Sequence, residues 1–216
     1  MGTPVYLEVG AKRTFACALD WPGWARSGRT EEAALDALAA YADRYRPVPE
    51  AAGMRFPKSA ADGLEVVERL PGSATTDFGA PDAKAGADAE PLTKARAERM
   101  SGLVEASWTV LDRVVGDAPA ALRKGPRGGG RDRDKMVDHV LGAEVAYARK
   151  LGLRLGQPAV GDRTAITELR AAILGTLRSA RAPVPDLDKG WPYRYAARRI
   201  AWHVLDHAWE MQDRSP

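Results

Sequence analysis

The sequence predicts an α+β protein: a small β-sheet with one helix near the N-terminus, followed by four long helices. Three observations carry that expectation. Residues 5–19 alternate in character and are rich in strand formers, VYLEVG and then RTFACALDW. Residues 72–91, GSATTDFGAPDAKAGADAEP, have the Gly/Ala/Asp/Pro content of a linker. Beyond them, four stretches place apolar residues at helical spacing. The expected organisation is an N-terminal α/β unit over 1–72, a linker over 73–90, and an antiparallel four-helix bundle over 91–216.

The N-terminal elements follow in order. A short Gly-Ala-Lys turn separates the two alternating runs, which therefore read as a hairpin. Pro22, Gly23 and Gly28 then bend or break the chain. Thr30 is a good N-cap, and Glu31 and Glu32 suit the positive end of a helix dipole. Ala34, Leu35, Leu38, Tyr41 and Ala42 form the apolar stripe of that helix. LEVVERL, residues 64–70, reads as a further strand.

The first long helix is expected to start near Pro91, with Met100, Leu103, Val104, Ser107, Val110, Leu111 and Val114 in register. The second is expected over 131–152. The third, over 162–181, aligns Ile166, Leu169, Ile173, Leu177 and Ala180, and the fourth covers 193–214. The connection GDAPAALRKGPRGGG, residues 116–130, reads as a solvated basic loop; no strand precedes it to make it a phosphate-gripping turn.

Composition narrows the function classes. Hydrophobic residues make up 45% and charged residues 28%, as in globular proteins. A net charge of +3 is too small a bias to imply a nucleic-acid partner. No apolar run approaches the roughly 20 residues of a membrane helix, and MGTPVYLEVGAKR lacks the build of a signal peptide. Cys17 is the only cysteine, so there is no intrachain disulfide; it reads as a small strand residue. A cytoplasmic protein is expected, with a small-molecule substrate as partner and a homodimer left open. Arginine outnumbers lysine 24 to 8 and alanine is abundant, which suggests the coding bias of a high-GC host such as an actinobacterium.

The chemistry rests on histidine, of which the chain has three. His203 and His207 sit four apart in the fourth helix, which puts two imidazoles on one face. His139 lies in the second helix among Met136, Gly142, Ala143 and Ala146, small residues that let a helix approach or leave room for a ligand. A single helical histidine is commonly buried and bonded to a backbone carbonyl. Three together offer the neutral nitrogen ligands of an open metal site, with a position left for water or substrate. Residue 204 is Val, so this is not the His-Glu-x-x-His motif of zinc proteases. Glu210, one turn past His207, is placed to orient a ligand from behind. Asp206 reads as a surface carboxylate. Three imidazoles accept several divalent ions.

Two resemblances add to this reading. Trp21, Pro22, Gly23, Gly28, Thr30, Glu31, Glu32 and Ala33 resemble the pattern of the HicB-like antitoxin fold over roughly residues 4–45, a small sheet with one helix. Residues 91–213 resemble the DinB/YfiT-like superfamily, through His139 in the second helix of a four-helix bundle and Arg198, Arg199, Trp202, His203, His207 and Glu210 in the last. That second resemblance implies a metal triad of His139, His203 and His207 holding a divalent ion, zinc or nickel among others. It further implies thiol S-transferase, isomerase or related hydrolase chemistry with bacillithiol, mycothiol or glutathione. Mycothiol is the thiol that an actinobacterial host implies. Arg198 and Arg199 are either anchors for an anionic cofactor group or solvated surface arginines. The competing reading is a binding or regulatory protein whose HicB-like unit engages a protein partner, with a structural or vestigial metal site.

Overall fold

The computed structural model describes residues 2–125, 130–179 and 190–216. It is an α+β structure with one four-stranded mixed sheet. The strands are β1 (Thr3–Val9), β2 (Thr14–Ala18), β3 (Ala25–Gly28) and β4 (Leu64–Pro71), in the order β3-β2-β1-β4. β1 and β2 form the expected antiparallel hairpin, β3 continues it antiparallel, and β4 pairs parallel to β1. Val5 faces Val66 but Tyr6 faces Glu68, so Val67 bulges from the edge strand and is 51% exposed.

Three helices follow β3: α1 (Glu31–Ala40), α2 (Ala42–Tyr45) and α3 (Pro47–Ala51). Thr30 caps α1 as expected, its hydroxyl accepting from the Ala33 N–H at 3.1 Å. Ala34, Leu38 and Ala42 are buried; Leu35 and Tyr41 lie at the edge of the same face. A Cβ at Gly28 would collide with the backbone of Ala33 and Ala34, so glycine is what lets β3 pass directly under α1.

Four longer helices complete the chain after the short α4 (Ala74–Phe78): α5 (Lys94–Asp117), α6 (Arg133–Lys150), α7 (Arg163–Ser179) and α8 (Tyr193–Arg214). α5 and α6 each pack against both α7 and α8. All seven of the α5 positions named from the sequence are buried. In α7, Leu169, Ile173 and Leu177 are buried and Ile166 is half-buried, while Ala180 lies outside the described residues. Among the described residues, no helix is long and apolar enough to cross a membrane.

The sequence pattern understates how thoroughly the sheet is covered. All five β2 residues are buried, so both faces are dry. Val5, Leu7, Ala16 and Ala18 pack towards α1, and the same cluster includes Leu103 and Val110 of α5 and Leu205 and Trp209 of α8. Tyr6, Phe15 and Cys17 on the other face pack with Trp202 of α8. Gly23, at φ 92°, lies close against α8: a Cβ there would lie 2.5 Å from Leu205 Cδ1. Hydrophobic clusters therefore cross the boundary that composition suggested.

Residues 73–90, which read as a linker, are a packed strap. Ser73 caps α4. The buried Glu8 carboxylate of β1 accepts from the Thr76 hydroxyl and from the N–H groups of Asp82 and Ala83. Asp88, also buried, receives both arms of the Arg198 guanidinium at 2.7 and 2.6 Å. Small residues were the reason for reading a linker; here they let the strap lie close between the sheet and α8. The connection after α5 likewise differs from a solvated loop. Ala118 and Leu122 are buried, and the Arg123 N–H donates to the Arg214 carbonyl at 2.8 Å. Its residues 126–129 lie outside the described residues.

Candidate metal centre

α8 presents different faces to different neighbours, because nearly every position along it is apolar, aromatic or paired. Ala201, Val204, Leu205 and Ala208 are buried as the expected aliphatic stripe. Trp202 packs edge-on to Phe15 and Trp209 to Tyr41, so the sheet side holds that flank. The face left over carries His203 and His207, turned towards α6.

There His139 meets them. His139 Nε2 and His203 Nε2 lie 3.3 Å apart, and the ring centroids of the three imidazoles are separated by 4.6–5.1 Å. One ligand atom from each residue can be chosen so that all three lie within 4.8 Å of one another. Two imidazole nitrogens on one tetrahedral zinc would be roughly 3.3–3.4 Å apart, given bonds of about 2.0–2.1 Å. The His139–His203 spacing fits that requirement.

The protonation chemistry points the same way. Burial lowers the His203 pKa well below the usual imidazole value, and His207, His139, Arg199 and Arg131 push it further down. Burial also lowers His139, with His207 and Arg131 adding to the effect. Both rings are thereby held in the neutral form that binds a metal. His203 Nδ1 is buried without a hydrogen-bond partner.

Glu210 lies where the helical spacing places it. Its Oε2 is 3.1 Å from His207 Nδ1, and its Oε1 accepts from Arg214 at 3.0 Å. The bond from His207 is the main cause that holds the Glu210 carboxyl below its ordinary value, and Arg214 assists. With Nδ1–H donated to the carboxylate, His207 has Nε2 free as a ligand. Arg214 stands four residues from Glu210, a spacing that could have identified it. It also donates to the carbonyls of Arg123 and Arg131, so one guanidinium ties both ends of the α5–α6 connection to the centre.

Other expectations are corrected. Asp206 pairs with Arg26 of β3 at 3.3 Å and is half-buried between α8 and the sheet, so it is not a free surface carboxylate. Arg198 is neither solvated nor available to a ligand, since Asp88 takes both its arms in a buried pair. Arg199 is half-buried, donates to the Pro81 carbonyl at 2.8 Å, and lies over Trp202 and Tyr147. Gly142 does not leave ligand room, because the Gln157 side chain fills the place its Cβ would take. Cys17 is a strand residue of β2 as expected; it is buried, and desolvation raises its thiol to about 12. Tyr147, unmarked in the sequence reading, stands edge-on to His203 at 5.7 Å. No protein-family model matches the chain, and no match is found among the curated proteins or the solved structures.

Proposed function

We propose that the protein is a divalent-metal-dependent enzyme of the DinB/YfiT-like type, a thiol S-transferase or related hydrolase acting on a small electrophile. The observation that carries this is the convergence of His139 from α6 with His203 and His207 from α8, whose ligand atoms close to within 4.8 Å. These three imidazoles would hold the ion, with zinc or nickel favoured. A bound divalent ion would lower the pKa of a thiol or water at the centre, making a nucleophile available near neutral pH.

The protein's own residues have separate tasks. His139 and His203 are kept neutral by burial. Glu210 orients His207 and fixes which nitrogen it offers. Tyr147 and Trp202 shield His203 from water on its flanks. The HicB-like N-terminal part takes a supporting role in this reading: its sheet and strap bury the side of α8 that faces away from α6. The low-molecular-weight thiol, mycothiol or a relative, would be the cosubstrate.

The test is elemental analysis of protein purified without a histidine tag or chelator. About one divalent ion per chain is expected in the native protein, with none in His203→Ala. His139→Ala should lose the ion as completely, despite sitting 64 residues away in sequence. Native protein that takes up no metal even after incubation with zinc or nickel would overturn the reading, as would full occupancy in His139→Ala.

A further inference from the structure

The long helices do not close on one another along their whole length. α5 packs closely on α7, whereas α6 meets α7 only sparingly. Where they diverge, at the end of α5 and the start of α6 and α7, a cleft of about 580 Å³ opens. That size lies within the roughly 300–1,000 Å³ of small-molecule sites, which occur between the helices of bundles. Leu111, Val140 and Leu141 form its floor, each no more than 2% exposed. Val115, Val137 and Ile166 wall it and are half-buried. Val160, at the rim and 40% exposed, is the one exposed large apolar side chain among the described residues of the four long helices and their connections. None of the three histidines lines the cleft. Helical geometry turns Val137, Val140 and Leu141 away from the side of α6 that carries His139.

The charges around this cleft are already matched to one another. Arg170 Nη1 donates to both carboxylate oxygens of Asp112, at 3.0 and 2.9 Å, and its Nε lies 3.5 Å from the buried Glu144 carboxyl. Arg133 bonds Asp134 at 2.8 Å and the Ala118 carbonyl at 3.1 Å. Arg163 stands exposed at the mouth, where water and salt screen it. A charged ligand would leave water without meeting an unmatched counter-charge on the apolar floor, which is costly. A neutral one gains by covering apolar side chains. Arg170 Nη2 makes no hydrogen bond among the described residues, so the cleft wall keeps a donor that can orient an uncharged oxygen.

We propose that the cleft between α5, α6 and α7 binds a neutral apolar molecule carrying one uncharged oxygen: a medium-chain alcohol, ketone or ester. Its hydrocarbon part lies on the floor of Leu111, Val140 and Leu141, and its oxygen accepts from Arg170. The site is separate from the histidine centre, on the other side of α6, and its ligand is not the molecule on which the triad acts. This assignment does not rest on the metal reading.

The test is displacement of the neutral fluorescent dye Nile red from the full chain by decanol, decanoate and decylammonium, which share a chain and differ in charge. Nile red should bind the native protein saturably. Decanol should displace it at concentrations roughly tenfold lower than either ion. Val137→Phe, which puts bulk into the cleft, and Val160→Asp, which puts a charge at its rim, should each weaken decanol about tenfold. Val67→Thr, on the distant edge strand β4, should leave it unchanged. His139→Ala should bind decanol as the native chain does, whether or not the histidines hold a metal. Should Val137→Phe fail to fold, Val160→Asp carries the same expectation from an exposed position. The proposal is overturned if decanol does not displace the dye, if either ion displaces it as well as decanol, or if decanol binds equally well to Val160→Asp. A native chain that sediments as a dimer and becomes a monomer in Val160→Asp would assign the cleft to a second copy and likewise overturn it.

Discussion

His207, Glu210 and Arg214 show how one imidazole is made a defined ligand. The carboxylate bonds His207 Nδ1 with one oxygen and Arg214 with the other. Removing that support leaves the ring free to rotate and to change tautomer. Glu210→Gln retains the shape but weakens the acceptor, and Glu210→Ala removes it. Loss of such a partner behind a metal-bound histidine typically weakens metal binding about 10–100-fold. Competition titration with a chromogenic chelator should show a fall in zinc affinity of that size in Glu210→Ala and a smaller one in Glu210→Gln. Unchanged affinity in both would mean that Glu210 only braces Arg214.

At the scale of elements, α8 is the shared member. It supplies two ligands to the candidate centre, the aliphatic stripe to the other long helices, and Leu205, Trp209 and Trp202 to the two faces of the sheet. The strap over 73–90 is held to it by Asp88 and Arg198, a buried pair with side chains 1% and 7% exposed. Breaking such a pair leaves an uncompensated charge in the interior, at a cost of about 3–5 kcal/mol. Asp88→Asn should lower the urea midpoint accordingly, and limited proteolysis should cut first within the strap. An unchanged midpoint would show that apolar contacts alone hold it. Sequence reading could not anticipate this. Gly, Ala, Asp and Pro are the composition of a flexible linker and equally that of a segment threaded through a narrow gap, and only the neighbours distinguish the two.

For the whole molecule, stability should depend on pH through two desolvated imidazoles, one buried and one half-buried. His139 and His203 titrate below their ordinary value in the folded protein, whereas in the unfolded chain they take up protons near pH 6.5. The unfolded state therefore binds more protons as the solution is acidified from that point. The stability these groups support is complete above about pH 6.5 and is lost as pH falls towards their folded values. Metal-free protein should show a declining urea midpoint between about pH 7 and pH 5, and His203→Gln a shallower decline. Parallel slopes in the two would show that other groups set the acid limit.

Sequence alone determined the longer elements and the candidate ligands, but not β3, α2, α3 or α4. The hairpin, the Thr30 cap, the strand expected over 64–70 and the span of α8 were legible because each depends on neighbours within a few residues: alternation, capping and helical periodicity are local physics. The four-residue step from His203 to His207 is legible for the same reason, and a third histidine on a second helix suggested its partner. The tertiary structure decided how these pieces share surfaces. It brought His139 within 3.3 Å of His203, gave adjacent Arg198 and Arg199 different roles, turned an expected linker into a strap, and placed α8 against the sheet as well as the helices. Periodicity reports that a face must leave water, because burial is favourable wherever it occurs. It does not report which surface covers that face, since any apolar partner of fitting shape satisfies the requirement, and that choice follows only from packing the whole chain.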